Sequence, residues 1–268
     1  LVTGRVPSFL LVVVALDWFF INLLNRVTDI EEDLKNGIPG TARVAQKKTL
    51  LTISSFAAMA MSFLVTHLVW PALTPWRVAV QVVGFAYNYK IVPTPRGMSR
   101  LKEIYFFKNF GSSILFVLTC FVYPIVASQT RVMPWPGVVV LAAFFVPFEL
   151  TFEILYDLRD IEGDRIENVP TYPVVHGVLR ARQIIDALLL VSAAVLLVGL
   201  SERWIGLREG MMLAAPAIQF FFYRKRFTRG LTTPDCIHLT HLASALLAFY
   251  LLGNMIWLKL GMPANVML

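Results

Sequence analysis

Long apolar segments separated by short charged loops are the feature that most constrains this chain. Eight such segments lie at about residues 7–24, 50–70, 77–89, 109–127, 138–156, 184–200, 209–222 and 237–258. Several reach the roughly 17–25 residues that a helix needs to cross the ~30 Å hydrocarbon core of a bilayer. In lipid only helices or closed barrels satisfy the backbone, and the alternating pattern of barrel strands is absent. We therefore predict an all-α polytopic membrane protein built as a transmembrane helical bundle.

The positive charges of the chain concentrate in alternate loops. The loops 25–49, 90–108, 157–183 and 223–236 together hold 18 of the 24 Lys and Arg residues. Under the positive-inside rule these four loops are cytoplasmic. Topology thus explains the net charge of +7, which does not indicate a nucleic-acid partner. We expect a multi-pass protein of a bacterial or archaeal cytoplasmic membrane, in contact with the lipid bilayer.

Two acidic clusters each follow an apolar segment and fall on predicted cytoplasmic loops. Their polar residues are Asn25, Asp29 and Asp33 in the first cluster and Asp157, Asp160 and Asp164 in the second. Spacings of three or four residues place each set on one stripe of a helix, with Asn22 and Glu153 one turn earlier. Stacked like charges repel each other, so these stripes do not stabilise a helix by themselves. A cation between the stripes would reverse the sign of this interaction.

Oxygen ligands without His or Cys favour Mg²⁺, which binds one or two carboxylates together with waters and substrate phosphates. Facing stripes would hold Mg²⁺ ions that in turn bind a diphosphate at the cytoplasmic mouth of the bundle. Basic side chains in the neighbouring loops would neutralise the remaining phosphate charge, although topology alone also explains their presence. The candidates are Arg43, Lys90, Arg96, Arg100 and Lys102. A diphosphate head with an apolar tail among the helices has the shape of a prenyl diphosphate.

Both acidic motifs resemble those of the UbiA superfamily of intramembrane prenyltransferases. In that family the first motif reads NDxxDxxxD, and the second reads DxxxD or DxxD followed by xxxD. The matching residues are Asn25, Asp29 and Asp33 in the first motif and Asp157, Asp160 and Asp164 in the second. The segment 171–177 is similar to the TLP-type segment that follows the second motif, and Tyr87 and Lys90 correspond to a Tyr-and-Lys motif. The resemblance implies a single prenyltransferase-like domain over residues 1–268.

Three features depart from the family pattern. Arg26 stands where the family has an Asp, so the first motif has one carboxylate fewer, partly offset by Glu32. Two residues rather than three separate Tyr87 from Lys90. The family has nine helices and eight are predicted here. The missing helix would precede Pro7, so we expect an N-terminally truncated chain.

The resemblance implies ionisation of an allylic diphosphate followed by attack of a lipophilic or aromatic acceptor. It implies Mg²⁺ as the cofactor, bound by the six matching residues. The implied catalytic residues are Lys90, Asp29 and Asp160, and the implied diphosphate or prenyl contacts are Arg43, Tyr87, Arg96, Arg100 and Lys102. Cations stabilise the departing diphosphate, and a dry bundle protects the allylic cation from water.

Two other functions stay open on the sequence. A membrane terpene cyclase would use the same site without an acceptor, because its cation closes on itself. A non-catalytic lipid-binding or transport protein would keep the fold without turnover, and the Arg26 departure keeps this alternative open. The acceptor, the prenyl chain length and the oligomeric state are not predicted.

Two carboxyl groups lie within apolar segments, where an ionisable side chain suggests a functional site. These are Asp17 and Glu149. Either would serve to deprotonate an acceptor or to form a buried hydrogen bond between helices.

Overall fold

Helices make up most of the protein. The computed structural model describes residue 3 and residues 8–35, 37–95, 97–105, 107–128, 131, 133–166 and 168–263. The helices are α1 (Ser8–Thr28), α2 (Ile30–Lys35), α3 (Thr41–Gln46), α4 (Lys48–Val69), α5 (Thr74–Asn88), α6 (Phe107–Val117), α7 (Tyr123–Ser128), α8 (Trp135–Ile166), α9 (Tyr172–Ser201), α10 (Leu207–Gly210), α11 (Ala214–Phe227) and α12 (Thr233–Lys259). Short 3₁₀ helices cover Pro71–Leu73, Leu101–Glu103 and Met211–Leu213, and the π-helical segment Leu118–Val122 joins α6 to α7.

Each predicted apolar segment overlaps a helix. Among the described residues, six helical segments are long and apolar enough to cross a membrane: α1, α4, α6 with α7, α8, α9 and α12. The helices α5 and α11 have 15 and 14 residues and are shorter than the ~30 Å hydrocarbon core. Large apolar side chains are widely exposed, including Leu68 at 74% and Phe221 at 72%. Such exposure is a liability in water but not in lipid, and the chain is a multi-pass membrane protein.

A β-hairpin separates α5 from α6. Strand β1 (Val92–Thr94) pairs antiparallel with β2 (Gly97–Ser99), and the Thr94 hydroxyl donates to the Gly97 carbonyl oxygen at 2.7 Å. Strands of three residues carry too little alternation for sequence analysis to detect. Arg100 and Lys102, which the sequence predicts to bind phosphate, follow the hairpin directly.

The described residues group into two compact units. The first unit comprises residues 2–132 with Glu162–Pro170, so it contains α1 to α7 and the last turn of α8. In this unit α1 packs against both α4 and α5. One cluster of its core consists of the buried apolar side chains Leu10, Val13, Ile21, Leu73, Val80, Leu115 and Tyr123.

The second unit comprises Met133–Ile161 with Thr171–Leu268, so it contains most of α8 and all of α9 to α12. Here α11 packs against both α9 and α12. Helices α8 and α9 approach closely at Gly199, where an added Cβ would lie 2.6 Å from Val140 Cγ1. The fully buried core side chains include Leu141, Ile154, Leu155, Ile185 and Leu196.

Helix α9 is broken near its start. Gly177 has φ 79° and ψ 163°, a conformation that L side chains rarely adopt and that glycine permits. Thr171 lies at the N-cap, and Pro173 occupies the first turn, where its missing N–H costs nothing. The segment 171–177 that resembles the family's TLP-type segment therefore forms a short, separate start to α9.

The contact between α1 and α5 predicts an effect of substituting Gly84. An added Cβ would lie 2.6 Å from Ile21 Cγ1, so Gly84→Ala forces the two helices apart. We expect a loss of about 1–3 kcal/mol, the usual cost of overpacking, measured as a lower thermal unfolding midpoint in detergent. Gly253→Ala is the matched control, because Gly253 is helical and has no atom within 4 Å of an added Cβ. Equal midpoints for the two variants would contradict this packing.

Candidate active site

The first acidic motif lies in the first unit, where α1 passes into α2. The backbone N–H of Asp29 donates to the Asn25 carbonyl oxygen at 2.9 Å, and that of Asp33 to the Asp29 carbonyl oxygen at 2.8 Å. These bonds carry the helical repeat through the break between Thr28 and Ile30. The three motif residues therefore follow one another at one-turn intervals, as their spacing predicts.

Asp29 forms ion pairs with two cations. It is 5% exposed, and its Oδ2 accepts a hydrogen bond of 2.6 Å from Lys102 Nζ. Its Oδ1 accepts one of 3.1 Å from Arg100 Nη1. Lys102 is itself 3% exposed and also donates to Glu32 Oε2 at 2.9 Å. Two of the basic residues proposed from the sequence thus contact the first motif directly.

Arg100 is held in place by a second carboxylate. Its Nε donates to Glu103 Oε1 at 2.7 Å, and its backbone N–H donates to Glu103 Oε2 at 3.1 Å. Burial alone would raise the pKa of Glu103, but these hydrogen bonds hold it below its usual value. Glu103 thereby orients the guanidinium that reaches Asp29.

Arg26, the residue that departs from the family pattern, forms an ion pair with the last residue of the motif. Its Nη1 lies 2.5 Å from Asp33 Oδ2, and its Nη2 donates to the Pro39 carbonyl oxygen at 2.9 Å. Burial raises the pKa of Asp33 above its ordinary value, and the guanidinium of Arg26 opposes that rise. Position 26 therefore carries a cation in place of a carboxylate, and this cation is paired with Asp33.

Asn25 offers an oxygen that has no partner. Its Oδ1 is buried and accepts no hydrogen bond within the part of the chain that the structure describes. An orphaned buried acceptor costs about 1–3 kcal/mol unless a ligand satisfies it. Mg²⁺ prefers such oxygen ligands, and Asp29 lies one turn further along. The Asn25 end of the first motif therefore fits a hard divalent cation.

The second acidic motif lies near the C-terminal end of α8. Asp157 and Asp160 belong to the second unit, whereas Asp164 belongs to the first. Asp157 is 2% exposed, and Asp160 is half-buried with its carboxylate paired to Arg159, whose Nε lies 2.7 Å from Oδ1. Asp164 is also buried and accepts a hydrogen bond of 3.2 Å from Lys108 Nζ. One continuous helix carries all three residues, as predicted.

The other residues proposed from the sequence as substrate contacts differ in their exposure. Lys90 and Arg43 are exposed, and Tyr87 is half-buried at the end of α5. Arg96 lies outside the described residues. Within each unit, no three His, Cys, Asp or Glu side chains of the described residues are arranged to hold a metal ion. In the first unit the acidic side chains of the motif instead form ion pairs with Arg26, Arg100 and Lys102.

Three further charged residues, not among those proposed from the sequence, pair with the motifs or with a cation that contacts them. Lys108, Arg159 and Glu103 pair with Asp164, Asp160 and Arg100 respectively. Arg159 lies inside the second motif, and Lys108 closes the same basic loop as Lys102, so both were visible as charges. Only the folded chain shows which carboxylate each one contacts.

Asp17 proves to be part of a buried network in the first unit. Its carboxylate accepts hydrogen bonds from Arg77 Nε at 2.9 Å, from the Tyr123 hydroxyl at 3.0 Å and from Gln81 Nε2 at 3.1 Å. Both Asp17 and Arg77 are 0% exposed. This geometry supports the structural alternative for Asp17, because every contact joins it to neighbouring helices. Glu149, the other carboxyl group within an apolar segment, is half-buried on α8.

An apolar cavity of about 300 Å³ lies within the second unit. Phe144, Phe145 and Phe148 of α8 line one side, and Tyr250 of α12 lines another. Its volume is at the lower end of the range for ligand pockets. Phe148 precedes Asp157 by nine residues, which is about 14 Å along a helix. The apolar lining of this cavity is compatible with a hydrocarbon chain.

Comparison with known proteins agrees with this architecture. A profile of the UbiA prenyltransferase family matches residues 1–236. Two solved structures of a UbiA homolog from Archaeoglobus fulgidus share the fold: one bound to DMAPP and Mg²⁺ has 13% identity and a TM-score of 0.68, and one bound to GPP and Mg²⁺ has 14% identity and a TM-score of 0.67. Each match covers 93% of this chain and 89% of that chain. Comparison with curated proteins finds no match. The chain belongs to the UbiA prenyltransferase family.

Proposed function

We propose that this protein is a Mg²⁺-dependent prenyltransferase that moves an isoprenoid chain from a prenyl diphosphate to a lipophilic or aromatic acceptor within the membrane. The observation that carries the proposal is the cluster around Asp29, which lies within 3.1 Å of both Arg100 and Lys102. One helical turn before Asp29, the buried Oδ1 of Asn25 accepts no hydrogen bond from the described residues. The homolog from Archaeoglobus fulgidus, which shares the fold, binds DMAPP or GPP with Mg²⁺.

Arg100 and Lys102 are the proposed diphosphate-binding cations. Neighbouring carboxylates hold both of them in position before any substrate arrives, so little reorganisation is needed when negative charge develops on the leaving group. Arginine suits this role because its planar fork matches two phosphate oxygens at once. Tyr87, in the last turn of α5, and Lys90, just after that helix, are proposed as further contacts to the substrate.

The proposed metal ligands in the first motif are Asn25 and Asp29. In the second motif they are Asp157, Asp160 and Asp164. Bound Mg²⁺ would neutralise diphosphate charge and so favour its departure. We further propose that both motifs face the cytoplasm, because the basic loops that carry them satisfy the positive-inside rule.

The apolar cavity of the second unit is the proposed binding site for the isoprenoid tail of the substrate. Its lining includes the apolar side chains of Phe144, Phe145 and Phe148, which would keep water away from an allylic cation. The distance of about 14 Å along α8 between Phe148 and Asp157 suits a diphosphate head near the carboxylates with a chain extending up the helix. Glu149, in the same stretch of α8, is the proposed base for the acceptor.

The test is release of diphosphate from geranylgeranyl diphosphate by the protein in membranes, with and without Mg²⁺, followed by mass analysis of the lipid products. We expect release that depends on Mg²⁺ and a product whose mass equals the prenyl chain plus an acceptor. A cyclised hydrocarbon would instead identify a terpene cyclase. No release with any chain length, in an extract that supplies acceptors, would identify a non-catalytic lipid-binding or transport protein.

A further inference from the structure

Arg26 makes the two ends of the first motif unequal. At one end the buried Asn25 Oδ1 accepts no hydrogen bond from any residue that the structure describes, whereas at the other Asp33 forms an ion pair with the Arg26 guanidinium. The second contact of Arg26, from Nη2 to the Pro39 carbonyl oxygen, lies across the turn that follows α2 and fixes the side chain in this direction. The guanidinium of Arg26 therefore lies beside Asp33 and is held there by two contacts.

The charge balance of the cluster shows what this contact does. Four carboxylates, those of Asp29, Glu32, Asp33 and Glu103, are linked by ion pairs to the three cations Arg26, Arg100 and Lys102. The described cluster thus has a net charge of −1 before any metal binds. Without Arg26 the same cluster would have a net charge of −2 and a free carboxylate one turn beyond Asp29. Each added negative charge strengthens the attraction for a divalent cation.

We propose that Arg26 is a positioning residue that withholds Asp33 from metal binding and substitutes a fixed positive charge for one Mg²⁺ ion. The wild-type chain then binds a prenyl diphosphate with one Mg²⁺ fewer than a variant in which Asp33 is released. This inference rests on the proposed function, because it concerns the metal demand of the same site. It concerns how many ions accompany the substrate, and not whether the substrate binds.

The experiment measures binding of a non-reactive analogue, geranylgeranyl thiolodiphosphate, to the purified protein over a range of free Mg²⁺ concentrations. The slope of the logarithm of the association constant against the logarithm of free Mg²⁺ counts the ions taken up with the ligand. We expect the slope to rise by about one in Arg26→Gln. Arg26→Lys, which keeps the charge beside Asp33, is expected to keep the wild-type slope. Lys48→Gln is the matched control, because it removes an exposed positive charge from the same unit outside the cluster.

A double variant guards against a folding defect in Arg26→Gln. Arg26→Gln with Asp33→Asn removes both partners, leaves no unpaired carboxylate and is expected to return to the wild-type slope. Equal slopes for wild type and Arg26→Gln would overturn the proposal. So would a double variant whose slope lies one below wild type, because Asp33 would then be a ligand despite Arg26. Absence of analogue binding at every Mg²⁺ concentration in wild type would instead contradict the proposed function itself.

Discussion

Replacing Asp29 by asparagine is expected to slow diphosphate release from a prenyl diphosphate by about a hundred- to a thousandfold, the usual cost of removing one preorganised electrostatic group. Asparagine keeps the shape of the side chain but removes the charge that holds Lys102 and Arg100, at 2.6 and 3.1 Å. It also removes an anionic oxygen from the proposed metal ligands. The rate is measured as diphosphate release in membranes at saturating Mg²⁺.

The matched control for Asp29→Asn is Glu31→Gln. Glu31 lies in the same acidic segment but is exposed, so its substitution is expected to change the rate by less than about twofold. Asp29 is 5% exposed and carries two ion pairs, so its unfolding midpoint must be measured beside the rate. Full activity in Asp29→Asn, in a folded protein, would remove Asp29 from the site. A rate loss that merely follows a loss of folded protein would give Asp29 a structural role.

Replacing Asp17 by asparagine is expected to destabilise the protein by about 3–5 kcal/mol, because it leaves the guanidinium of Arg77 buried with no opposing charge. Arg77 also donates to the Ser62 carbonyl oxygen at 2.9 Å and to Thr66 Oγ1 at 2.8 Å, so it connects α5 with α4 as well as with α1. These neutral acceptors do not compensate a full charge. The measurement is the thermal unfolding midpoint in detergent.

A double-mutant cycle with Arg77→Met separates this structural role from a catalytic one. Because the double variant has no unpaired charge, it is expected to be less destabilised than the sum of the two single variants. The folded fraction of Asp17→Asn should keep its rate of diphosphate release, since the described hydrogen bonds of Asp17 join it to α5 and α7. An unchanged midpoint for Asp17→Asn, together with a lost rate, would restore Asp17 as a candidate base.

Sequence patterns predicted the helices well, because the requirement for apolar length in lipid leaves few alternatives. The helices α4 (Lys48–Val69) and α12 (Thr233–Lys259) overlap the predicted segments 50–70 and 237–258 closely. The last turns of α8 and the first turns of α9 extend beyond the apolar segments, and hydropathy cannot detect polar helical turns. The β-hairpin after α5 was not predicted, because strands of three residues are too short to show an alternating pattern.

Sequence by itself determined the residue types of the candidate site and their spacing along each helix. The one-turn intervals from Asn25 to Asp33 follow from local helical geometry, so they could be deduced without a structure. Family membership followed from the same motifs. The position of Asp17 in an apolar segment, by contrast, is equally compatible with a base and with a structural ion pair.

Only the tertiary structure decided which charges neutralise one another. Arg26 contacts Asp33 seven residues away, whereas Lys102 reaches Asp29 across 73 positions of the chain. Such pairs depend on how α1, α2 and the segment after the hairpin pack, and no spacing rule specifies them. The sequence therefore named the acidic motif and its departure at position 26. The folded chain showed that the departure places a fixed cation on the motif's own carboxylate, because ion pairing acts through distance in space and not through separation along the chain.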